Sequence, residues 1–267
     1  MSWKSEAKVE DNCTFGKLLL KQNIMKEKEQ RQEDDNHQNM NPKEHDCIQI
    51  NSVIDEAYTL IQAASARTNG LSGLGSGFTK LDKMTSGWQN GELITIGARP
   101  GMGKTAFVLS MLKNMTVDFQ IPVALFSLEM SNVQLVNRLI ANVCEIPSEK
   151  IKSGQLANYE WQQLDYKLKD LMDAPLYVDD TPICTMDDLC RKAHYLVKEK
   201  GVKLLAIDYI QLLYNEVKYS DNRYLELNYF TRRLKSLAKE LNIPIIITSQ
   251  MNRAIESREG IDGNGLN

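Results

Sequence analysis

The chain has 267 residues, of which 42% are hydrophobic and 25% charged, with a formal net charge of −3. That suits a large globular domain with an appendage. It excludes a globally basic nucleic-acid binder, so any contact with DNA must come from a local patch or an assembled pore. Five scattered cysteines without a CxxC pair (Cys13, Cys47, Cys144, Cys184, Cys190) exclude a disulfide framework and a zinc site and point to a reducing, cytoplasmic setting, while no apolar run reaches membrane-span length and Leu18 to Leu20 is too short for a signal-peptide core.

Residues 1–46 read as a disordered or weakly helical leader. A short helix fits Phe15 to Ile24, but Lys26 to Asp46 is almost entirely Lys, Glu, Gln, Asp, Asn and His, which cannot bury a core. His37 and His45 lie there and read as solvated. Residues 47–76 change character. Val53, Ile54, Ala57, Leu60, Ile61 and Ala64 recur at helical spacing, with Asn51 or Ser52 as a cap. A Gly/Ser-rich tether from Asn69 to Gly77 follows. The apolar face of this helix must be buried on its own domain or on a neighbouring subunit.

Residues 77–267 read as one α/β domain. Gly77 to Gly91 is a run of turns and a short helix, with Phe78, Leu81 and Trp88 packing on the core. From Glu92 onward strands and helices alternate, which predicts a mainly parallel sheet flanked by helices on both faces. The strand at Leu93 leads into a helix from Thr105 to Met115. Val123 to Ser127 is a strand, and Ser131 with Gln134 forms a capping box for a helix to Cys144. Helices follow at Ser148 to Gly154 and Trp161 to Met172, then a strand at Leu176 to Val178. Thr185 with Asp188 caps a helix closed by Gly201. A strand at Leu204 to Ile207, a polar loop at Asn215 to Asn222, a helix at Tyr224 to Leu241 and a strand at Ile245 to Thr248 complete the pattern.

The stretch ELITIGARPGMGKTAF, Glu92 to Phe107, has the layout of a phosphate-binding loop: buried strand, glycine-rich turn, helix. A polyphosphate needs several main-chain N–H groups pointing inward at close range. Ala98, Arg99, Pro100, Gly101, Met102 and Gly103 supply that loop, and the helix that follows turns its N-terminal dipole toward the anion. Lys104 reaches the β- and γ-phosphates, and the Thr105 hydroxyl is a ligand for Mg²⁺. ATP and Mg²⁺ are therefore the expected cofactors. Ala98 stands where the strict pattern has Gly, which is tolerable if its φ stays negative.

Ligands of open parallel sheets sit at the carboxyl ends of strands. Asp208 ends the run LLAID and fits a carboxylate that holds Mg²⁺; Glu129 fits the base that polarises the attacking water; Gln250 fits an uncharged sensor of the γ-phosphate. Lys104, Glu129 and Gln250 form the expected catalytic group. A carboxylate after an apolar strand also serves as a helix cap, and that alternative stays open for Glu129 and Asp208 here. Asp179 and Asp180 read as capping or solvated groups. Asn252, Arg253 and Arg258 suit a loop facing DNA phosphates or a solvated loop. Arg232, Arg233, Lys235 and Lys239 read as a solvated or subunit-facing surface.

Taken together, GFTKLDKMTSGWQNGELITIGARPGMGKTAF, FSLEMS, LLAIDYIQLL and ITSQMNR resemble the RecA-like ATPase domain of the DnaB-type replicative DNA helicases, over about Ile48 to Arg258. The resemblance implies a RecA-like core preceded by a linker helix that docks on the adjacent subunit. It also implies a homohexameric ring that hydrolyses ATP between subunits and moves 5′–3′ on single-stranded DNA, and a helicase loader as a further partner. It assigns phosphate and Mg²⁺ contacts to Lys104 and Thr105, the catalytic glutamate to Glu129, the Mg²⁺-linked carboxylate to Asp208 and the sensor to Gln250. The family's N-terminal primase-binding domain is not recognisable in residues 1–46, nor are its later strands, DNA loops and arginine finger after Gln250. On that reading the chain is expected to bind nucleotide, to hydrolyse it poorly alone, and to contact primase weakly or not at all. A nucleotide-binding regulator that docks on a helicase ring without unwinding is the alternative.

Overall fold

The computed structural model describes residues 49–65, 70–214 and 223–251. Two units, Met1–Gln62 and Ala63–Asn267, separate by their internal contacts. Helix α1 spans Asn51–Ser65, and Val53, Ile54 and Ile61 of its apolar stripe are exposed. The leader before residue 49, its two histidines, and Cys13 and Cys47 lie outside the described residues, as do residues 66–69, which include the first residue of the tether, and the polar loop at 215–222.

The larger unit is built on a five-stranded sheet in the order β1-β5-β4-β2-β3. The strands are β1 (Leu93–Ala98), β2 (Val123–Ser127), β3 (Leu176–Asp179), β4 (Leu204–Asp208) and β5 (Ile245–Gln250). Every neighbouring pair is parallel. Strands buried on both faces must be apolar throughout, and β2 and β4 are buried at every position.

Alternate residues along each strand feed opposite faces. Ala124, Phe126, Leu205, Ile207, Ile245 and Ile247 pack with α7 (Met186–Lys200) and α8 (Arg223–Leu241), through Leu189, Phe230, Leu234 and Leu237. Val123, Leu125, Leu204, Ala206 and Ile246 face the other way. They pack with α3 (Lys104–Lys113) and α4 (Asn132–Cys144), through Leu109, Leu112, Leu135 and Leu139. Along the chain, the short helix α5 (Ser148–Ser153) and α6 (Asn158–Met172) follow α4. The chain runs from β1 through β2 to β3 in one direction along the sheet, and returns through β4 to β5 in the other. Right-handed crossovers put the connecting helices of the two runs on opposite faces.

Local signals set the helix ends. Ser131 and Gln134 close a reciprocal capping box on α4. The Thr185 hydroxyl accepts from the Asp188 N–H, and Gly201 ends α7 in the left-handed region at φ 67°. One element differs from expectation. Regular helix stops at Lys113, and Asn114–Asp118 forms a π-helical turn. The wider turn keeps consecutive Met115 and Thr116 both buried, with the Thr116 hydroxyl donating to the Leu112 carbonyl at 2.8 Å.

Ahead of β1, α2 (Thr79–Thr85) sits in a turn cluster held by Asp82, whose carboxylate accepts from the Ser76 hydroxyl at 2.6 Å and the Ser76 N–H at 2.8 Å. Phe78 stacks on Phe107 of α3 with ring centroids 5.0 Å apart, and Trp88 is buried. The segment thus braces the helix that follows the glycine turn.

Candidate functional site

The glycine turn joins β1 to α3. Gly101 and Gly103 have φ values of 78° and 81°, and a Cβ at either would meet no atom within 4 Å. These positions need glycine for backbone conformation, and the open space around them leaves the main chain approachable. Lys104 and Thr105 are the first residues of α3. Ala98 is the last residue of β1 and is absent from the positive-φ residues, so the departure from Gly there costs no strain.

Parallel pairing puts the predicted residues in one row. Ala98 lies opposite Gln250, Ser127 lies opposite Asp208, and Ile207 lies opposite Ile247 one residue before. The Met251 N–H donates to the Ala98 carbonyl at 3.0 Å and the Leu128 N–H to the Asp208 carbonyl at 2.8 Å. The ends of β1, β2, β4 and β5 therefore share one rim.

Asp208 is the centre of that rim and is 3% exposed. One carboxylate oxygen accepts from the Thr105 hydroxyl at 2.7 Å. The other accepts from the Thr248 hydroxyl at 2.5 Å, and the Lys104 ammonium stands 3.6 Å from it. Lys104 also sits over the Tyr209 ring, 4.4 Å from its centroid. A buried carboxylate is tolerated because hydroxyls and a cation satisfy it. With the glycine turn alongside, the arrangement offers oxygen donors, a cation and approachable main-chain N–H groups at one point.

Glu129 lies two residues beyond β2 and is exposed. It lines a cleft of about 800 Å³ together with Ala106 and Leu109 of α3 and Gln134 and Arg138 of α4. Gln250 is exposed at the end of β5. Lys104, Thr105 and Asp208 are thus in direct contact or nearly so. Gln250 adjoins them through β1, and Glu129 faces the neighbouring cleft. A smaller apolar cavity of about 390 Å³, lined by Phe126, Tyr177, Lys192 and Tyr195, lies at the β3 edge and includes none of the predicted site residues. Asn252, Arg253 and Arg258 lie outside the described residues.

The structure adds residues that spacing did not single out. Thr248 holds Asp208, Tyr209 underlies Lys104, and Gln211 bonds to Ser249 at 2.8 Å. Thr248 had a visible signal, a hydroxyl directly after the apolar run Ile245–Ile247. Other polar residues prove structural. Asp180 caps α4 by accepting from the Asn132 N–H at 2.8 Å and its side-chain amide at 2.9 Å. Arg233 pairs with Asp187 at 2.9 Å, and Lys235 donates to the Gly91 carbonyl at 2.9 Å. Both cations are half-buried and contact their own domain, Arg233 through an exposed Asp187, while Arg232 and Lys239 are exposed. Burial pushes the Cys184 thiol up to about 11, which leaves it protonated and inert at neutral pH.

Residues 73–262 match the family model described as DnaB-like helicase C terminal domain. Among curated proteins, the replicative DNA helicase DnaB of Geobacillus stearothermophilus is 37% identical over 210 residues, covering 79% of this chain and 46% of that protein. The replicative DNA helicase DnaB of Nostoc sp. is 41% identical over 210 residues, covering 77% of this chain and 24% of that protein. This chain spans about half the length of the first of these relatives and about a quarter of the second. Among solved structures, one described as an ATPase domain superposes with a TM-score of 0.73 at 33% identity, over 80% of this chain and 75% of that one. A DnaB-like replicative helicase described with its interactions with primase superposes with a TM-score of 0.70 at 33% identity, over 80% of this chain and 51% of that one.

Proposed function

The chain belongs to the DnaB-like helicase C-terminal domain family, and from that premise we propose that it is the ATPase engine of a replicative DNA helicase, a ring motor that hydrolyses ATP to move 5′–3′ along single-stranded DNA. The observation that supports this most is the convergence of Lys104, Thr105 and Thr248 on buried Asp208 beside the glycine turn.

In this reading the main-chain amides from Ala98 to Gly103 cradle the β-phosphate, and Lys104 binds the β- and γ-phosphates. The Thr105 hydroxyl and the Asp208 carboxylate, 2.7 Å apart, are the hard oxygen donors that Mg²⁺ prefers. Bound there, the ion would neutralise charge building on the phosphates. Glu129 orients and deprotonates the attacking water from the cleft side, and Gln250 reads the γ-phosphate. Asn252, Arg253 and Arg258 face DNA. Residues 47–76 act as the linker that docks on the next subunit of a homohexamer. Its exposed Val53, Ile54 and Ile61 suit that role. Residues 77–267 form the ATPase domain, and a helicase loader is an added partner. Family membership favours this motor over a docking regulator without turnover.

The test is ATPase activity of the purified chain with and without single-stranded DNA, alongside its mass by light scattering. DNA-stimulated turnover in a six-subunit assembly is expected. A monomer whose turnover DNA does not raise would reject the ring motor.

A further inference from the structure

β5 is longer than its partner on one side. Against β4 its paired register runs from Ile245 to Ile247. Against β1 the pairing continues through Thr248, Ser249 and Gln250. A strand end paired on one side only is poorly fixed, because its second row of polar groups has no ladder.

Gln211 takes the place of the missing rung. It lies on the 3-10 turn Ile210–Leu212, three residues after Asp208. Its side-chain NH₂ donates to the Ser249 hydroxyl at 2.8 Å and to the Gln250 carbonyl at 3.3 Å. Its side-chain carbonyl accepts from the Gln250 N–H at 3.4 Å. A primary amide carries the same donor and acceptor as a peptide group, so one side chain mimics a strand neighbour. The Arg223 guanidinium donates to the Gln211 carbonyl and to Glu226, which ties the turn to the start of α8.

We propose that Gln211 is a positioning residue for recognition of the γ-phosphate. It acts through Gln250, by fixing the end of β5 to the same short segment that carries Asp208. The strand end that bears the sensor and the segment that bears the carboxylate then move as one piece. This rests on the reading of Gln250 as the sensor.

The experiment measures the affinity of the full chain for a β,γ-imido ATP analogue and for ADP, both with Mg²⁺, by competition with a fluorescent nucleotide. Their ratio reports γ-phosphate discrimination without needing turnover. Gln211→Leu is expected to weaken the analogue about fivefold, the scale of one lost hydrogen bond, with ADP affinity unchanged. Gln250→Ala is expected to reduce discrimination at least as much, and adding Gln211→Leu to it should cost nothing more. Ser249→Ala, which deletes a single hydroxyl, gives a smaller loss in the same direction and serves if Gln211→Leu does not fold. Discrimination lost in Gln250→Ala but intact in Gln211→Leu and Ser249→Ala overturns the inference and leaves the sensor reading standing. Intact discrimination in all three overturns both. A Gln211→Leu loss that adds fully to that of Gln250→Ala also overturns the inference, because Gln211 would then be acting by another route.

Discussion

Two strands of this sheet end in aspartate, and the two carboxylates have nearly the same partners. Asp179 at the end of β3 meets the Thr181 hydroxyl and the Lys192 ammonium, the latter at 2.6 Å. Asp208 at the end of β4 meets the Thr105 and Thr248 hydroxyls and has the Lys104 ammonium at 3.6 Å. The difference lies in where the partners come from and how closely they hold. Thr181 is two residues from Asp179, and Lys192 closes a direct ion pair from α7. The cluster is complete in itself and locks a strand end to a helix. Asp208 draws its hydroxyls from α3 and β5, distant in sequence, and keeps its lysine just beyond hydrogen-bond length. Lys104 stands on the first turn of the helix behind a glycine loop, where it is available to a phosphate. A strand-end carboxylate thus becomes a candidate site when its partners belong to a loop built for another ligand.

The sharpest way to break this comparison is to remove each lysine in turn. Lys104→Ala should reduce ATP turnover by at least about a hundredfold, the scale seen when a preorganised donor to a reacting centre is lost. Lys192→Ala should leave turnover within about twofold of the parent and lower thermal stability instead. Steady-state ATPase assays and thermal melts on both variants decide it. Equal losses of turnover would mean that the two clusters are not functionally distinct.

A smaller effect probes the Asp179 cluster through pH. Burial pushes the Asp179 carboxyl up, but the bonds to Lys192 and Thr181 together outweigh it and hold the group below the ordinary range. A group depressed in the folded state contributes stability above its ordinary value, about 3.9. That contribution is lost as pH falls through the depressed folded value. Asp179→Asn should therefore cost about 1–2 kcal/mol near neutrality, read as a drop of a few degrees in melting temperature. The gap between parent and variant should close at acid pH. A gap that stays constant down to acid pH would show that the ion pair is not its source.

Much of this was legible beforehand because it rests on local chemistry. Strand periodicity, the Ser131 box, the Gly201 stop and the glycine turn each occupy a few consecutive residues. The rim was legible too, since apolar runs ending in Asp208 and Gln250 share one direction in a parallel sheet. What sequence did not disclose depends on register. Thr248 meets Asp208 because β5 pairs with β4 at a particular offset, and Gln211 reaches Ser249 because β4 stops short of β5. The Asn114–Asp118 π turn was hidden for a related reason, as it answers to burial of both Met115 and Thr116. The partners of Arg233 and Lys235 were hidden as well, because Asp187 and the Gly91 carbonyl are far away in sequence.

The smallest effect belongs to a third carboxylate–cation contact, which lacks the burial of the other two. His194 of α7 faces Glu240 of α8 at 3.0 Å, and its other ring nitrogen contacts the Cys190 carbonyl at 2.8 Å. Both partners, the carbonyl first, raise the imidazole above its ordinary value. A raised histidine contributes stability that is complete below its ordinary value, about 6.5. The contribution disappears as pH rises through the folded value. Both side chains are about half exposed, so water and salt screen the pair. Melting temperature should fall by about 1 °C between mildly acid and mildly alkaline pH in the parent. That step should be absent in His194→Gln, and in the parent 1 M salt should shrink the share that Glu240 supplies and leave the share due to the Cys190 carbonyl. A step several times larger would mean that α7 and α8 are joined by a pair as sheltered as Asp179 and Lys192, and that burial does not explain the ranking of the three.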